Sequence, residues 1–306
     1  WGRALLFEEA RETHEVGLCS LVDLGMLCGA AATAGAVEIK AKGTWEILSE
    51  WSNVAPLNGP NDRFATLQRL RTQVEIISSN ALKGVVFFEI GDTNWGKASE
   101  GGALGTDAKN IEVRYSYVDW QVPNTDLRVR MGLQPFSLPN FVAGDPIMGS
   151  DDSDGAGITL SYQFNDMAGM SLFWMRAEND NTTIDRGVGN AMDFVGLSVP
   201  LTGEGWQLNP WGMYGNLGKN SLNEVGENGE SLIVGLLPYG QDGVSVVAKD
   251  SNNPAWWLGI GGELTTFDPL RLAFDFAYGK ADWGKAANGQ DLTRQGWLLS
   301  GIAEYK

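Results

Sequence analysis

Residues Val37–Trp51 read VEIKAKGTWEILSEW, and their alternation decides the fold. Val37, Ile39, Ala41, Gly43, Trp45, Ile47 and Trp51 share one parity, while Glu38, Lys40, Lys42, Thr44, Glu46 and Glu50 share the other. Successive side chains of a strand point to opposite faces, so a period of two predicts a strand with one apolar and one wet side. The pattern recurs. Leu70, Thr72, Val74 and Ile76 oppose Arg69, Arg71, Gln73 and Glu75, and Leu82, Gly84, Val86, Phe88 and Ile90 oppose Lys83 and Glu89. Ile111, Val113, Tyr115 and Tyr117 oppose Glu112, Arg114 and Ser116; Leu127, Val129, Met131 and Leu133 oppose Arg128, Arg130 and Gln134. Similar faces follow at Ile158–Phe164 and Leu270–Tyr278. Weaker runs near 170–178, 191–200, 206–217, 255–264 and 294–305 bring the tally to about 12 strands.

The connections carry as much information as the strands. Tight turns are expected at Ser78–Ala81, Pro123–Asp126, Asn165–Gly169, Thr202–Gly205 and Thr265–Pro269. Long polar connections fall between them, near 52–62, 91–109, 137–156, 179–190, 217–254 and 279–293. Short alternating with long is the rhythm of an up-and-down meander whose tight turns all lie at one end, as in bacterial outer-membrane barrels. A soluble sheet also alternates, with a large aromatic core as the competing reading. Here the apolar face carries aromatics near strand ends, at Trp45, Trp51, Tyr115, Tyr117, Tyr162, Phe164, Phe274 and Tyr278, where lipid would meet water. The expected fold is therefore all-β, a transmembrane antiparallel up-and-down β-barrel.

Composition agrees. Gly is 40 of 306 residues, about 13% against a usual value near 7%, and there are 12 Trp, which suits a turn-rich β chain better than a helical bundle. The formal net charge of −16 argues against nucleic acid, whose phosphates need a basic footprint. His14 is the sole His, and Cys19 and Cys28 are the only Cys. From Val37 onward the chain has neither, which removes Ser-His-Asp and Cys-His catalysis, His- or Cys-ligated zinc and disulfides. Carboxylate chemistry alone survives.

Residues 16–36, VGLCSLVDLGMLCGAAATAGA, are small and apolar and end on Ala34-Gly35-Ala36, the small-x-small shape of a signal-peptidase site. Residues 1–36 are thus expected to be a signal-peptide-like leader, with a buried N-terminal helix as the alternative, and 37–306 the barrel. The n-region is atypical: Glu8, Glu9, Glu12 and Glu15 stand where basic residues belong.

If the apolar face meets lipid, the wet face lines a lumen. It gathers Lys40, Lys42, Arg69, Arg71, Arg114, Arg128 and Arg130, a basic wall. The loop Ser137–Ala156 follows directly, with Asp145, Asp151, Asp152 and Asp154. Folded inward, it would set carboxylates against the wall and narrow the passage under a transverse field; the bland reading is a set of solvated, locally neutralised faces. Asp152 and Asp154, with Asp180 in the second acidic stretch Glu178–Asn181, are weak Ca²⁺ candidates, since neither stretch closes with the Glu of a calcium loop. No other cofactor is expected.

The block from Arg69 to Pro139 resembles the outer-membrane homotrimeric porins of sulfate-reducing bacteria. The resemblance rests on Gln68–Thr72 (QRLRT), Gly84–Gly96 (GVVFFEIGDTNWG), Arg114–Trp120 (RYSYVDW) and Gly132–Phe136 (GLQPF), with Val37–Gly43 and Gly155–Thr159 in support. It implies a trimeric, water-filled barrel in the bacterial outer membrane, of about 16 strands, passing small hydrophilic solutes and ions through a loop-narrowed eyelet. The chain ends Glu304-Tyr305-Lys306 without the usual terminal aromatic, so a C-terminal truncation of roughly four strands is expected. Two other functions compete. One is a secreted β-sandwich that binds carbohydrate through Trp256-Trp257 or Trp283; the other is an outer-membrane barrel enzyme using carboxylates.

Overall fold

The computed structural model describes residues 37–52, 63–107, 111–142, 144–145, 147–148, 154–178, 191–218, 253–285 and 291–305. The leader, Asp151, Asp152 and Asp180 lie outside them, as do the side chains of Glu178 and Trp283. The strands are β1 (Glu38–Ser52), β2 (Arg63–Ser79), β3 (Leu82–Asn94), β4 (Ile111–Gln121), β5 (Leu127–Pro135), β6 (Asp154–Asn165), β7 (Ala168–Glu178), β8 (Met192–Ser198), β9 (Leu201–Gly203), β10 (Trp206–Leu217), β11 (Asn253–Phe267), β12 (Leu270–Lys285) and β13 (Asp291–Tyr305). They form one 13-stranded sheet in chain order, with the three-residue β9 set beside β10 and β7. Every pairing with a given register is antiparallel.

All five expected tight turns join consecutive strands, and the long connections fall between them. This is the up-and-down order that the alternation predicts, without the strand exchange of a Greek-key sandwich. β9 is the one extra strand, cut from the stretch read as a turn before Trp206. Among the described residues no helix is long and apolar enough to cross a membrane; the sole helical element is one 3-10 turn at Ala98–Glu100.

The chain divides into two compact units, with the division inside β4 after Ser116. In the first, β1, β2 and β3 pair so that Ala41, Val74 and Val86 form one aliphatic row. A bulge between Gln68 and Arg69 is made possible by Gly91 at φ 142, where an added Cβ would lie 2.7 Å from the Gln68 carbonyl oxygen. Bulges sharpen the local twist and re-aim side chains. Burial along β4 slips at Arg114–Tyr115, where two consecutive residues are half-buried between exposed neighbours. The apolar face therefore changes parity, from Ile111 and Val113 to Val118 and Trp120.

The second unit explains the glycine count. Phe173 on β7 stands opposite Gly196 on β8, Phe194 opposite Gly215 on β10, Trp211 opposite Gly259 on β11, and Trp257 opposite Gly279 on β12. Each ring lies across the facing glycine, and a Cβ there would collide with it. The result is a staircase of cross-strand aromatic–glycine pairs, the geometry in which a ring covers backbone that glycine leaves bare. With Phe136, Leu138, Met175, Met192, Met213 and Leu217, these rings form the main apolar core. Strands β7, β8, β10 and β11 are thus apolar on both faces, which is why their period-two signal is weak.

Candidate functional site

The face expected to be wet is a ladder of ion pairs. In the first unit Arg69 donates from Nη2 and Nε to Glu46 at 2.8 and 3.1 Å, and lies 3.8 Å from Asp92. Arg71 donates to Glu89 at 2.6 Å, and Arg114 reaches the same Glu89 oxygen at 3.3 Å. Lys83 meets Glu75 at 3.3 Å, and Gln73 donates to that carboxylate at 2.9 Å. Lys40 pairs with Glu38 at 3.3 Å, while Lys42 is exposed. The register brings Glu46 opposite Arg69 and Glu89 opposite Arg71, so each cation meets its anion directly across the sheet. The bare basic wall read from the arginines alone is here a compensated one. Its acidic half, Glu46, Glu89 and Asp92, was missed because those residues read as alternation filler.

In the second unit Asp119, 4% exposed, accepts Arg128 through both oxygens at 2.6 and 2.5 Å and Arg130 at 3.1 Å. The Arg130 guanidinium lies over the Tyr117 ring, 4.6 Å from its centroid. Tyr117 therefore shares the charged face with Asp119, and Tyr115 packs on Phe87 at 4.9 Å. This corrects the expectation that both tyrosines face outward with Ile111 and Val113: the slip at Arg114–Tyr115 turns them to the other side.

The connection after β5 packs on the face of this unit that carries Asp275 and the apolar core. Phe136 and Leu138 join the core, with Ile147 and Met148 packed against it. The Asp275 carboxylate of β12 accepts the Phe141 and Val142 N–H groups at 2.8 and 2.6 Å, and Arg271 donates to the Phe141 carbonyl at 3.3 Å. A Cβ on Gly261 would strike both Asp275 and the Phe141 ring, so glycine there leaves room for the loop. The loop thus lies against β12 at Phe141 and Val142. Asp145 does not take the role expected of it. Its carboxylate, 6% exposed, accepts N–H groups from Leu138, Ile147 and Met148, so it ties the loop to itself instead of facing the arginines. Asp154 opens β6 opposite Pro135.

Between Arg128, Arg130, Ser161, Ser171, Ser137 and Phe173 lies a recess of about 280 Å³. Ser161 and Ser171 share a hydrogen bond at 3.3 Å, and Phe136 and Phe173 close one side with ring centroids 5.3 Å apart.

The opposite face is apolar and open. Trp45, Trp51, Tyr162, Phe164 and Phe274 are exposed there. The register adds aromatics that reading strand by strand missed. Trp174, Val195, Tyr214 and Trp256 stand in one row across β7, β8, β10 and β11. Tyr278 packs on Trp256 at 5.4 Å, with Trp297 opposite Tyr278. At the tight-turn end stand Trp206, Phe267 and Tyr305. Trp206 and Tyr214 are eight residues apart on β10, about 27 Å along a strand and about 20 Å once tilted, near the roughly 25 Å band of an outer-membrane barrel.

Outside the strands, Glu100 organises the loop after β3. It accepts the Asn94 N–H and side-chain amide at 2.9 and 2.8 Å and Lys97 Nζ at 2.5 Å. Burial alone would raise its pKa; the bonds from Lys97 and Asn94 outweigh that and hold the carboxyl at about 2.

Among the described residues no three His, Cys, Asp or Glu side chains gather to hold a metal ion. Trp256 and Trp257 point to opposite faces, one against Tyr278 and the other against Phe194, so the pair forms no single carbohydrate platform.

No protein-family model matches the chain, and no curated protein does. Solved structures similar to it are Pseudomonas putida OprB, at 8% identity and a TM-score of 0.45 over 80% of this chain and 70% of that one, and an anion-selective porin from Comamonas acidovorans, at 14% and 0.45 over 87% and 74%. The trimer form of Vibrio cholerae OmpT, an outer-membrane protein, is similar at 10% and 0.39 over 90% and 85%. At these scores the likenesses carry no functional argument.

Proposed function

We propose that the chain is a porin-type channel of the bacterial outer membrane, passing small hydrophilic solutes and ions by diffusion. The observation that carries this reading is the inversion of the two faces. On β1 and β2 the large apolar side chains Trp45, Ile47 and Ile76 stand in the open at 46, 47 and 42% exposure, while the Arg69–Glu46 and Arg71–Glu89 pairs on the other side of these strands are half-buried. A soluble sheet does the reverse, because exposing a continuous apolar face to water costs roughly 25 cal/mol per Å². Lipid removes that cost, and rows of Trp and Tyr at strand ends are what a membrane–water boundary favours.

The loop anchored at Asp275 is the narrowing element. Charged groups in compensated pairs give a passage lined with fixed dipoles that admits water and polar solutes. The homotrimeric assembly and the leader on residues 1–36 belong to the same proposal. A barrel enzyme has no comparable support, since the buried carboxylates of Asp119, Asp145 and Asp275 are all engaged in hydrogen bonds that hold structure.

Liposome swelling tests the reading. Vesicles carrying the refolded protein should swell in small sugars at rates that fall with solute size, and light scattering in detergent should give three copies per particle. Vesicles that stay impermeable to every solute would sink the channel.

A further inference from the structure

We propose that the recess beside Arg128 and Arg130 is a holding point for a small monoanionic solute that carries oxygen acceptors, such as a carboxylate. The proposal rests on the channel reading and names the solute class its inner face retains. Among the described residues that line the recess, the two guanidiniums are the only charged side chains. Both are bound to one carboxylate, Asp119, so among the described residues two positive charges meet one negative charge and one positive charge is left over. The Arg128 side chain is 47% exposed, which leaves part of its donor edge open to a solute. Arg130 Nε is buried without an acceptor among the described residues, and a nearby anion stabilises that cation.

The rest of the lining has the same preference. Ser161 and Ser171 share one hydrogen bond between two hydroxyls, which leaves one O–H to donate elsewhere. Guanidinium edges and a spare hydroxyl make a wall of donors, and planar oxyanions match the guanidinium fork better than a spherical ion does. Phe136 and Phe173 also line the recess and accept a short apolar body. At about 280 Å³ the recess lies below the roughly 300–1,000 Å³ of drug-sized pockets, which limits it to small molecules.

The test is the conductance of the full chain in a planar bilayer, measured against concentration in potassium acetate and in potassium chloride. A held anion makes the acetate conductance saturate while the chloride conductance stays closer to linear. Arg128→Gln should raise the half-saturating acetate concentration about tenfold, the loss of one charge-assisted hydrogen bond. The double change Ser161→Ala with Ser171→Ala should raise it severalfold with no change of charge, and it serves where the arginine variant fails to fold. A linear acetate conductance in the parent channel, or the same half-saturation in both variants, would overturn the holding point and leave the channel standing. No conductance in either salt would instead remove the channel reading itself.

Discussion

The Phe141 N–H donates to Asp275 Oδ1 at 2.8 Å across 134 residues of sequence, and this bond, with the one from Val142, fastens the loop after β5 to β12. Each is a charge-assisted bond worth about 1.5–3 kcal/mol. Asp275→Ala removes both and leaves Arg271 alone on the Phe141 carbonyl. The expected result is faster protease cleavage within 137–150 and a larger, noisier conductance, with the sheet intact by circular dichroism. Cleavage and conductance equal to the parent's would show that the loop is held by its apolar contacts alone.

The facing of β2 is open to a paired substitution. Val74 lies in the aliphatic row with Ala41 and Val86, while Gln73 bonds to Glu75 on the other side. Val74→Arg should cost about 2–4 kcal/mol near the bilayer midplane, whereas Gln73→Arg keeps a partner in Glu75 and is tolerated. Refolding titrations into lipid vesicles measure both. Equal costs would remove the assignment of lipid to the apolar face.

Glu89 compensates two guanidiniums at once, from Arg71 and Arg114. Glu89→Gln removes one negative charge beside both and should shift the reversal potential under a salt gradient toward anions. The stability cost should be about 1–3 kcal/mol, between that of an exposed pair and a buried one. An unchanged reversal potential would place these groups away from the conducting path.

The Glu100 loop carries a pH prediction. Its carboxyl titrates at about 2 in the folded loop against an ordinary 4.5. A depressed folded value means that its contribution is complete above about pH 4.5, shrinks as pH falls below that, and is gone once pH passes through about 2. The protection of the Gly96 and Gly102 amides, taken relative to the intrinsic exchange rate at each pH, should be high at pH 5 and fall sharply toward pH 2. Glu100→Gln should show the low protection already at pH 5.

The meander and its five tight turns were legible from period-two patterning, because each depends on local sequence. What escaped it depends on register. The aromatic row Trp174–Tyr214–Trp256 exists only once β7, β8, β10 and β11 are aligned. Glu46, Glu89 and Asp119 likewise become partners of the arginines only across strands. Tyr115 and Tyr117 were assigned to the apolar face because strict alternation cannot register a slip of one residue, and such a slip turns every later side chain over. Asp145 carried a charge that suggested a pore, but its three N–H partners give it a structural task that sequence spacing does not reveal.

The measurement that bears most directly on the central claim is single-channel recording of the purified, refolded chain in a planar lipid bilayer. The inverted faces predict stepwise, long-lived conductance increments that vary with salt concentration, appearing in groups of three where the assembly is trimeric. A bilayer that stays silent over chain correctly inserted, with Trp256 and Trp297 quenched by lipid-borne quenchers, would contradict the account: the protein would then sit in the membrane without conducting.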